Sequence, residues 1–304
     1  MTEANIGVKI AELEMINPLM LAAGVLGVTG LSLKRVANAG AGAVVTKSIG
    51  PRPNQGHPNP TITGTNCGFL NAMGLPNPGV KEFKKEINVA KEAGAPVIVS
   101  IFGASKEEFA YVASEMEIAG ADALELNISC PHAEVVALGQ SPKLTFDVVK
   151  NVKKRVPKIP IFVKLTPNVT DIVEVAKRAE DAGADAITCI NTLRAMVINV
   201  ETGRPILSNK IGGLSGPAIK PIAVRCVYEV SSKVNIPVIG CGGITYWEDA
   251  VEYMLAGATA VQIGTAIAYR GLSIFREISD GIQTYLIRNG YQNTKDIIGL
   301  SHKY

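Results

Sequence analysis

Short aliphatic runs recur along the chain, separated by amphipathic stretches, and five of them follow the same tripeptide. Ala39-Gly40-Ala41 stands before the run 43–47, Ala93-Gly94-Ala95 before 96–100, and Ala119-Gly120-Ala121 before 123–127. Ala182-Gly183-Ala184 precedes 186–190, and Ala256-Gly257-Ala258 precedes 260–264. This is the pattern of a helix that ends at a glycine, turns tightly and feeds a strand buried on both faces. Three further runs, 18–22, 160–164 and 237–241, lack the phrase but keep the spacing. Between the runs, 106–118, 171–181, 218–231 and 247–255 place apolar residues at helical spacing. Eight alternations of strand and helix predict parallel strands closed into a (β/α)8 TIM barrel. An open doubly wound sheet competes less well, because no GxGxxG follows the first strand and the count reaches eight evenly. No linker, low-complexity block or charge run divides the chain, so one domain over 1–304 is expected.

Composition supports the barrel and narrows the function. Hydrophobic residues make up 47% of the 304 residues and aromatics only 5%, so Val, Ile, Leu and Ala must fill the core. A net charge of +3 argues against a nucleic-acid partner, and the basic cluster at 150–155 reads as a solvated helix face. The five cysteines, at 67, 130, 189, 226 and 241, form no CxxC pair and no metal-ligand spacing. That points to free thiols in a reducing compartment, hence a cytoplasmic protein without a metal site. No charged segment leads into an apolar one at the N-terminus, so no signal peptide is expected. The uncharged stretch 15–33 is long enough for a membrane span, but Asn17-Pro18, Gly24, Gly27 and Gly30 break it into a strand and a loop.

In a TIM barrel the chemistry lies at the C-terminal ends of the strands. Those ends here are polar: Lys47-Ser48, Asn127-Ile128-Ser129-Cys130-Pro131, Lys164-Leu165-Thr166, Asn191-Thr192, Cys241-Gly242-Gly243 and Gly264-Thr265. Any one could be a satisfied strand-end group, but so many converging on one mouth are costly to bury without a ligand. The glycines after the last two runs suit a phosphate, which backbone N–H groups can approach closely there. Lys47 and Lys164 would place positive charge beside the ring part of such a ligand, as a reduced flavin needs. The loop Asn71-Ala72-Met73-Gly74-Leu75 can turn successive N–H groups one way, making a concavity for an anion. With Asn127, Asn191 and Thr192, its donors and acceptors suit the edge of a pyrimidine ring.

These motifs, with Gly212-Gly213-Leu214-Ser215-Gly216-Pro217, resemble the class 1 dihydroorotate dehydrogenases, in particular the class 1B catalytic subunit, over nearly the whole chain. The resemblance implies noncovalent FMN and oxidation of dihydroorotate to orotate in pyrimidine biosynthesis. It also implies a homodimer, and a second subunit with FAD and an iron–sulfur cluster that passes electrons to NAD, in a heterotetramer. Cys130 would take the C5 proton while N5 of FMN accepts the C6 hydride. Lys47, Asn71, Ala72, Met73, Gly74, Leu75, Asn127, Asn191 and Thr192 would hold the substrate. Ala23, Lys47, Ser48, Ser100, Asn127, Lys164, Ile190, Gly216, Gly242, Gly243, Gly264 and Thr265 would hold FMN. A general base must be partly deprotonated at working pH, so a thiol that titrates near 8.5 needs help from a lysine or backbone donors. The other cysteines read as small buried hydrophobes.

Three positions depart from the family pattern. Ala23 stands where Ser is common, Ser100 where Asn is common, and His132 where Asn is common. His132 and the segment 164–171 resemble the flavin domain of dihydropyrimidine dehydrogenase, so an FMN enzyme acting on dihydrouracil or dihydrothymine is the alternative. A flavin-free phosphosugar barrel is the reading from another class.

Overall fold

The computed structural model describes residues 4–128 and 140–304. The chain begins with a hairpin, β1 (Val8–Ile10) and β2 (Leu13–Met15), followed by β3 (Leu19–Leu21), α1 (Gly30–Asn38) and β4 (Ala43–Val45). A second hairpin, β5 (Ile62–Thr65) and β6 (Gly68–Asn71), precedes α2 (Val80–Lys91), β7 (Val97–Ile101), α3 (Lys106–Ile118) and β8 (Ala123–Asn127). Next come α4 (Pro142–Arg155), β9 (Ile161–Leu165), α5 (Ile172–Asp181) and β10 (Ala186–Cys189). Four short strands follow: β11 (Leu193–Ala195), β12 (Ile198–Asn199), β13 (Arg204–Pro205) and β14 (Gly212–Ser215). The chain ends with α6 (Lys220–Ser231), β15 (Val238–Cys241), α7 (Trp247–Leu255), β16 (Ala258–Ile263), α8 (Ala266–Arg270) and α9 (Ile274–Arg288).

Strands β3, β4, β7, β8, β9, β10, β15 and β16 are parallel neighbours in a closed barrel, as the eight aliphatic runs predict. Their side chains alternate between two cores, the period-two rule of a strand. Leu19, Leu21, Val44, Val97, Val99, Leu124, Leu126 and Val163 face the helices. Met20, Ala43, Val45, Ile98, Ala123, Phe162, Ala186, Ile239 and Ala260 face the axis, and Val8, Ile10, Leu13 and Met15 of the β1–β2 hairpin join them as a plug. Each fully buried Leu, Ile or Val contributes about 2 kcal/mol of transfer free energy. Ala43, Ala123, Ala186 and Ala260 among the inner set leave room for Phe162 to fill the axis.

The five repeated glycines serve one purpose. Gly40, Gly94, Gly120, Gly183 and Gly257 all have φ between +76 and +112 and end the helices of their units in left-handed turns. The helix starts are capped too, with Thr29, Ser105, Ser141 and Asp171 accepting from backbone N–H groups. The stretch 15–33 becomes β2, β3, a loop and the start of α1, and no described helix is long and apolar enough to cross a membrane.

Outside the barrel and its β1–β2 plug, β12 and β13 pair by themselves, and four other strands form a sheet that the aliphatic runs do not announce. A four-stranded antiparallel sheet, ordered β11–β14–β6–β5, connects the segment after β4 with the segment after β10. It carries Asn71 and Thr192 to the same place.

Candidate active site

Polar side chains from adjacent strand ends form one hydrogen-bonded chain across the barrel mouth. Asn127 at the end of β8 donates through Nδ2 to Ser48 Oγ at 3.0 Å, and Ser48 and Ser100 share a hydrogen bond of 2.9 Å. Asn191, just beyond β10, donates to Asn127 Oδ1 at 3.2 Å and accepts from the Thr192 N–H at 2.8 Å. Asn168 fixes the next loop, donating to Thr166 Oγ1 at 2.8 Å and to the Thr192 carbonyl at 3.1 Å. Burial orders these groups: Ser48, Ser100 and Asn127 are all under 9% exposed. Their amides and hydroxyls therefore hold set orientations toward whatever occupies the mouth.

Two lysines lie at this end of the barrel and differ electrostatically. Lys47 is 8% exposed, and its ammonium makes no hydrogen bond or ion pair with a described residue. Burial alone pushes its pKa down from the ordinary 10.5. Lys164 is deeper still, donating to Gln262 Oε1 at 2.7 Å, with Glu125 Oε1 3.7 Å away. Burial acts to lower its pKa, but Cys241 and Glu125 outweigh that and hold it above the ordinary value. Lys164 is thus an interior cation, not a surface lysine running its stem along the barrel.

The loop after β6 has the geometry of an anion nest. The Met73 carbonyl accepts from the His57 N–H at 3.0 Å, and the Gly74 and Leu75 carbonyls accept from Asn54 Nδ2 at 2.8 and 3.3 Å. In a trans peptide the N–H points opposite to the C=O. The Met73 and Gly74 carbonyls, turned toward segment 54–57, therefore turn the N–H groups of Gly74 and Leu75 away from it, while the Leu75 carbonyl is followed by Pro76, which has no N–H. The N–H groups of Gly74 and Leu75 donate to no described residue. Both residues are left-handed, with φ of 74 and 55. Gly74 is further confined, since a Cβ there would lie 2.6 Å from the His57 nitrogen. Asn77 ties the loop to the β4 end, accepting from the Gly50 N–H at 3.1 Å. Asn71 donates to the Gly213 carbonyl of β14 at 3.3 Å. Ala72 is held by its N–H on the Thr61 carbonyl at 2.8 Å.

A second set of unpaired amides lies beyond β15 and β16. The N–H groups of Gly242, Gly243, Gly264 and Thr265 donate to no described residue. Gly243 (φ 73) sits where a Cβ would come within 2.8 Å of the Gly216 carbonyl, so only glycine leaves this cradle open. Tyr253 braces it from below, donating to the Gly242 carbonyl at 2.6 Å. Thr265 donates to Ser215 Oγ at 2.9 Å. Ile190 is buried, its N–H on the Cys241 carbonyl at 2.9 Å, and Ala23 follows β3 at the same end.

Ser129, Cys130, Pro131 and His132 lie outside the described residues. Of the other cysteines, Cys189 and Cys226 are buried as expected, whereas Cys67 is exposed in the turn between β5 and β6. The expectation of a buried hydrophobe fails at Cys67 because a two-residue hairpin tip has no packing partner over it. Sequence reasoning also missed Asn54, Thr188, Glu125 and Gln262. The last three carried a signal, being polar residues at inward positions of otherwise aliphatic strands. Asn54 carried none, since its partners are about twenty positions away.

Fold and mouth together define an α/β-barrel protein with two sets of backbone amides unpaired among the described residues, one on a loop tied to the strand end of Lys47 and one built largely from glycines. The family model described as dihydroorotate dehydrogenase matches residues 5–286, and the chain belongs to that family. It is similar to the dihydroorotate dehydrogenase B (NAD(+)) catalytic subunits of several archaea. That of Methanocella arvoryzae is 54% identical over 289 residues, covering 94% of each chain. That of Methanosarcina mazei is 55% identical over 295 residues, covering 96% of this chain and 93% of the relative. That of Pyrococcus horikoshii is 52% identical over 305 residues, covering both chains completely. The resemblance to class 1B read from the motifs agrees with these names.

Proposed function

We propose that this chain is the FMN-bearing catalytic subunit of a dihydroorotate dehydrogenase, oxidising dihydroorotate to orotate and delivering the electrons to NAD through a partner subunit. The observation that carries the reading is the nest at Gly74 and Leu75 on a loop tied to the strand end that bears Lys47. Amides and a buried lysine that have no partner among the described residues suit a carboxylate, which orotate has and uracil lacks. Asn71, Ala72 and Met73 complete that loop, while Asn127, Asn191 and Thr192 address the ring edge.

The donor set also suits a flavin mononucleotide. The amides of Gly242, Gly243, Gly264 and Thr265, beside Gly216, match a phosphate. Lys47, Ser48, Ser100, Asn127 and Lys164 match the polar edge of the isoalloxazine, and Ala23 and Ile190 its apolar faces. Bound FMN supplies the acceptor for the hydride that leaves C6. Cys130, as thiolate, removes the C5 proton, and the C5–C6 single bond becomes double as the hydride and proton depart. A lysine and backbone donors near the mouth lower the cost of that thiolate. The partner carries FAD and an iron–sulfur cluster, and the barrel forms a homodimer within a heterotetramer. The site is a cytoplasmic one, and 1–304 acts as a single domain.

The test is anaerobic mixing of the purified, flavin-loaded chain with dihydroorotate while the visible flavin absorbance is followed. Rapid bleaching is expected. Bleaching by dihydrouracil but not by dihydroorotate would overturn the substrate reading in favour of a dihydropyrimidine enzyme. Protein that remains colourless in excess FMN would overturn the cofactor.

A further inference from the structure

We propose that Glu125, which the reaction above does not use, is a positioning residue for the flavin end of the site. It holds Lys164 in place from inside the barrel and supplies that lysine's counter-charge. The proposal rests on the reading that Lys164 contacts FMN.

Glu125 is completely buried, two residues before Asn127 on the inward face of β8. Its Oε2 accepts from Gln262 Nε2 at 2.6 Å and from Thr188 Oγ1 at 3.2 Å. Its Oε1 has no hydrogen-bond partner among the described residues and lies 3.7 Å from the Lys164 ammonium. Gln262 bridges the two charges, its oxygen accepting from Lys164 at 2.7 Å while its amide donates to Glu125. Only one orientation of the Gln262 amide satisfies both partners, so the two charges and the bridge fix one another. The contacts come from β8, β9, β10 and β16, so the network spans the barrel interior directly beneath the mouth.

A lone ammonium at this depth would shed its proton or pull water in. Lys47 is the comparison within the same molecule, because no described carboxylate pairs with it and burial depresses it. Among the described residues, Glu125 from β8, Cys241 from β15 and Gln262 from β16 face Lys164, Thr188 is its register partner on β10, and only Glu125 and Cys241 carry titratable groups. Burial pushes the Cys241 thiol up. The carboxylate that the described residues bring to Lys164 is Glu125, 3.7 Å from the ammonium and bridged to it by Gln262. Without Glu125, Lys164 would be a second depressed lysine, and its contact with a flavin would depend on pH.

The test is FMN affinity against pH, measured by titrating the flavin-stripped full chain with FMN. Glu125→Gln keeps the shape and both hydrogen-bond acceptor roles but removes the charge. Between about pH 7 and 9.5 its FMN affinity should fall by about tenfold relative to the parent profile, as Lys164 loses its proton. Glu125→Asp, which keeps the charge, should restore the parent profile. A Glu125→Gln profile parallel to the parent's would overturn the proposal. A parent chain that binds no FMN at any pH would instead defeat the cofactor reading on which the proposal stands. A stability measurement covers the case in which Glu125→Gln does not fold. Lys164→Met strands the carboxylate, so the double variant Glu125→Gln/Lys164→Met should melt higher than Lys164→Met alone. Equal or lower melting of the double variant would show that the two charges are not coupled.

Discussion

Replacing Asn54 with alanine tests whether the nest selects for a carboxylate. The side chain touches no catalytic group; it pins the Gly74 and Leu75 carbonyls at 2.8 and 3.3 Å. A neutral hydrogen bond contributes about 1 kcal/mol net, and the longer of these two less, so together they contribute about 1.5 kcal/mol. They oppose the cost of Leu75 in the left-handed region, φ 55, which is about 1–2 kcal/mol for a residue with a Cβ. The two quantities nearly balance, so losing the amide removes the loop's preference for the conformation that aims its N–H groups outward. Asn77 still donates to the Leu75 carbonyl at 3.0 Å, which keeps the loop from leaving altogether. The expected loss in orotate affinity is about 1–1.5 kcal/mol, roughly tenfold. Uracil, which lacks the carboxylate, should bind the variant and the parent alike, and FMN affinity should not change. Titration of the flavin-loaded protein with each ligand, followed by the flavin spectrum, reads both affinities. An equal loss for orotate and uracil, or no loss for either, would refute the reasoning.

Cys130→Ala should keep FMN bound and slow flavin reduction by dihydroorotate by about a hundredfold or more; an unchanged single-turnover rate removes Cys130 from its role. Lys47→Met should lose orotate binding yet melt higher than the parent at neutral pH, by about 1 kcal/mol of stability, because it deletes a buried charge without a partner. The sign follows from the depressed pKa: the folded chain binds fewer protons than the unfolded one, so parental stability rises with pH toward 10.5 and the variant's advantage shrinks there. A melting series from pH 7 to about 10 checks it. Tyr253→Phe removes the 2.6 Å bond to the Gly242 carbonyl and should cost about 1 kcal/mol, with weaker FMN binding; unchanged melting and affinity would mean the cradle does not need that brace.

The barrel was legible because its signals are local. An Ala-Gly-Ala phrase reports a left-handed turn at Gly40 or Gly183 without reference to anything distant, and an aliphatic run such as 123–127 reports a doubly buried strand. The four-stranded antiparallel sheet was not legible for the opposite reason. Its strands are three or four residues long, and β6 pairs with β14 across 142 positions, a contact that no local pattern encodes. The candidate site divides along the same line. Lys47, Asn127, Asn191 and Gly243 stand at strand ends, where the fold itself says to look. Asn54 matters only because a loop about twenty residues on folds back over it. Glu125 was within reach, since a carboxylate between Leu124 and Leu126 in a buried strand demands a partner, but which partner depends on how strands close around the axis.

The two lysines give the mouth its division of labour under the proposed function. A substrate that must enter and leave as an anion is best met by a cation whose charge nothing else satisfies, since the binding free energy then comes from relieving a buried, unpaired group. Among the described residues Lys47 is in that state, and the amides of Gly74 and Leu75 are too. A cofactor that stays through every turnover needs the reverse, a charge that is constant across working pH and does not require the ligand to be stable. Lys164, bridged through Gln262 to Glu125, meets that need. The same residue type at two strand ends of one barrel mouth, β4 and β9, therefore does two different tasks, and what separates them is one carboxylate placed a single inward step below the mouth.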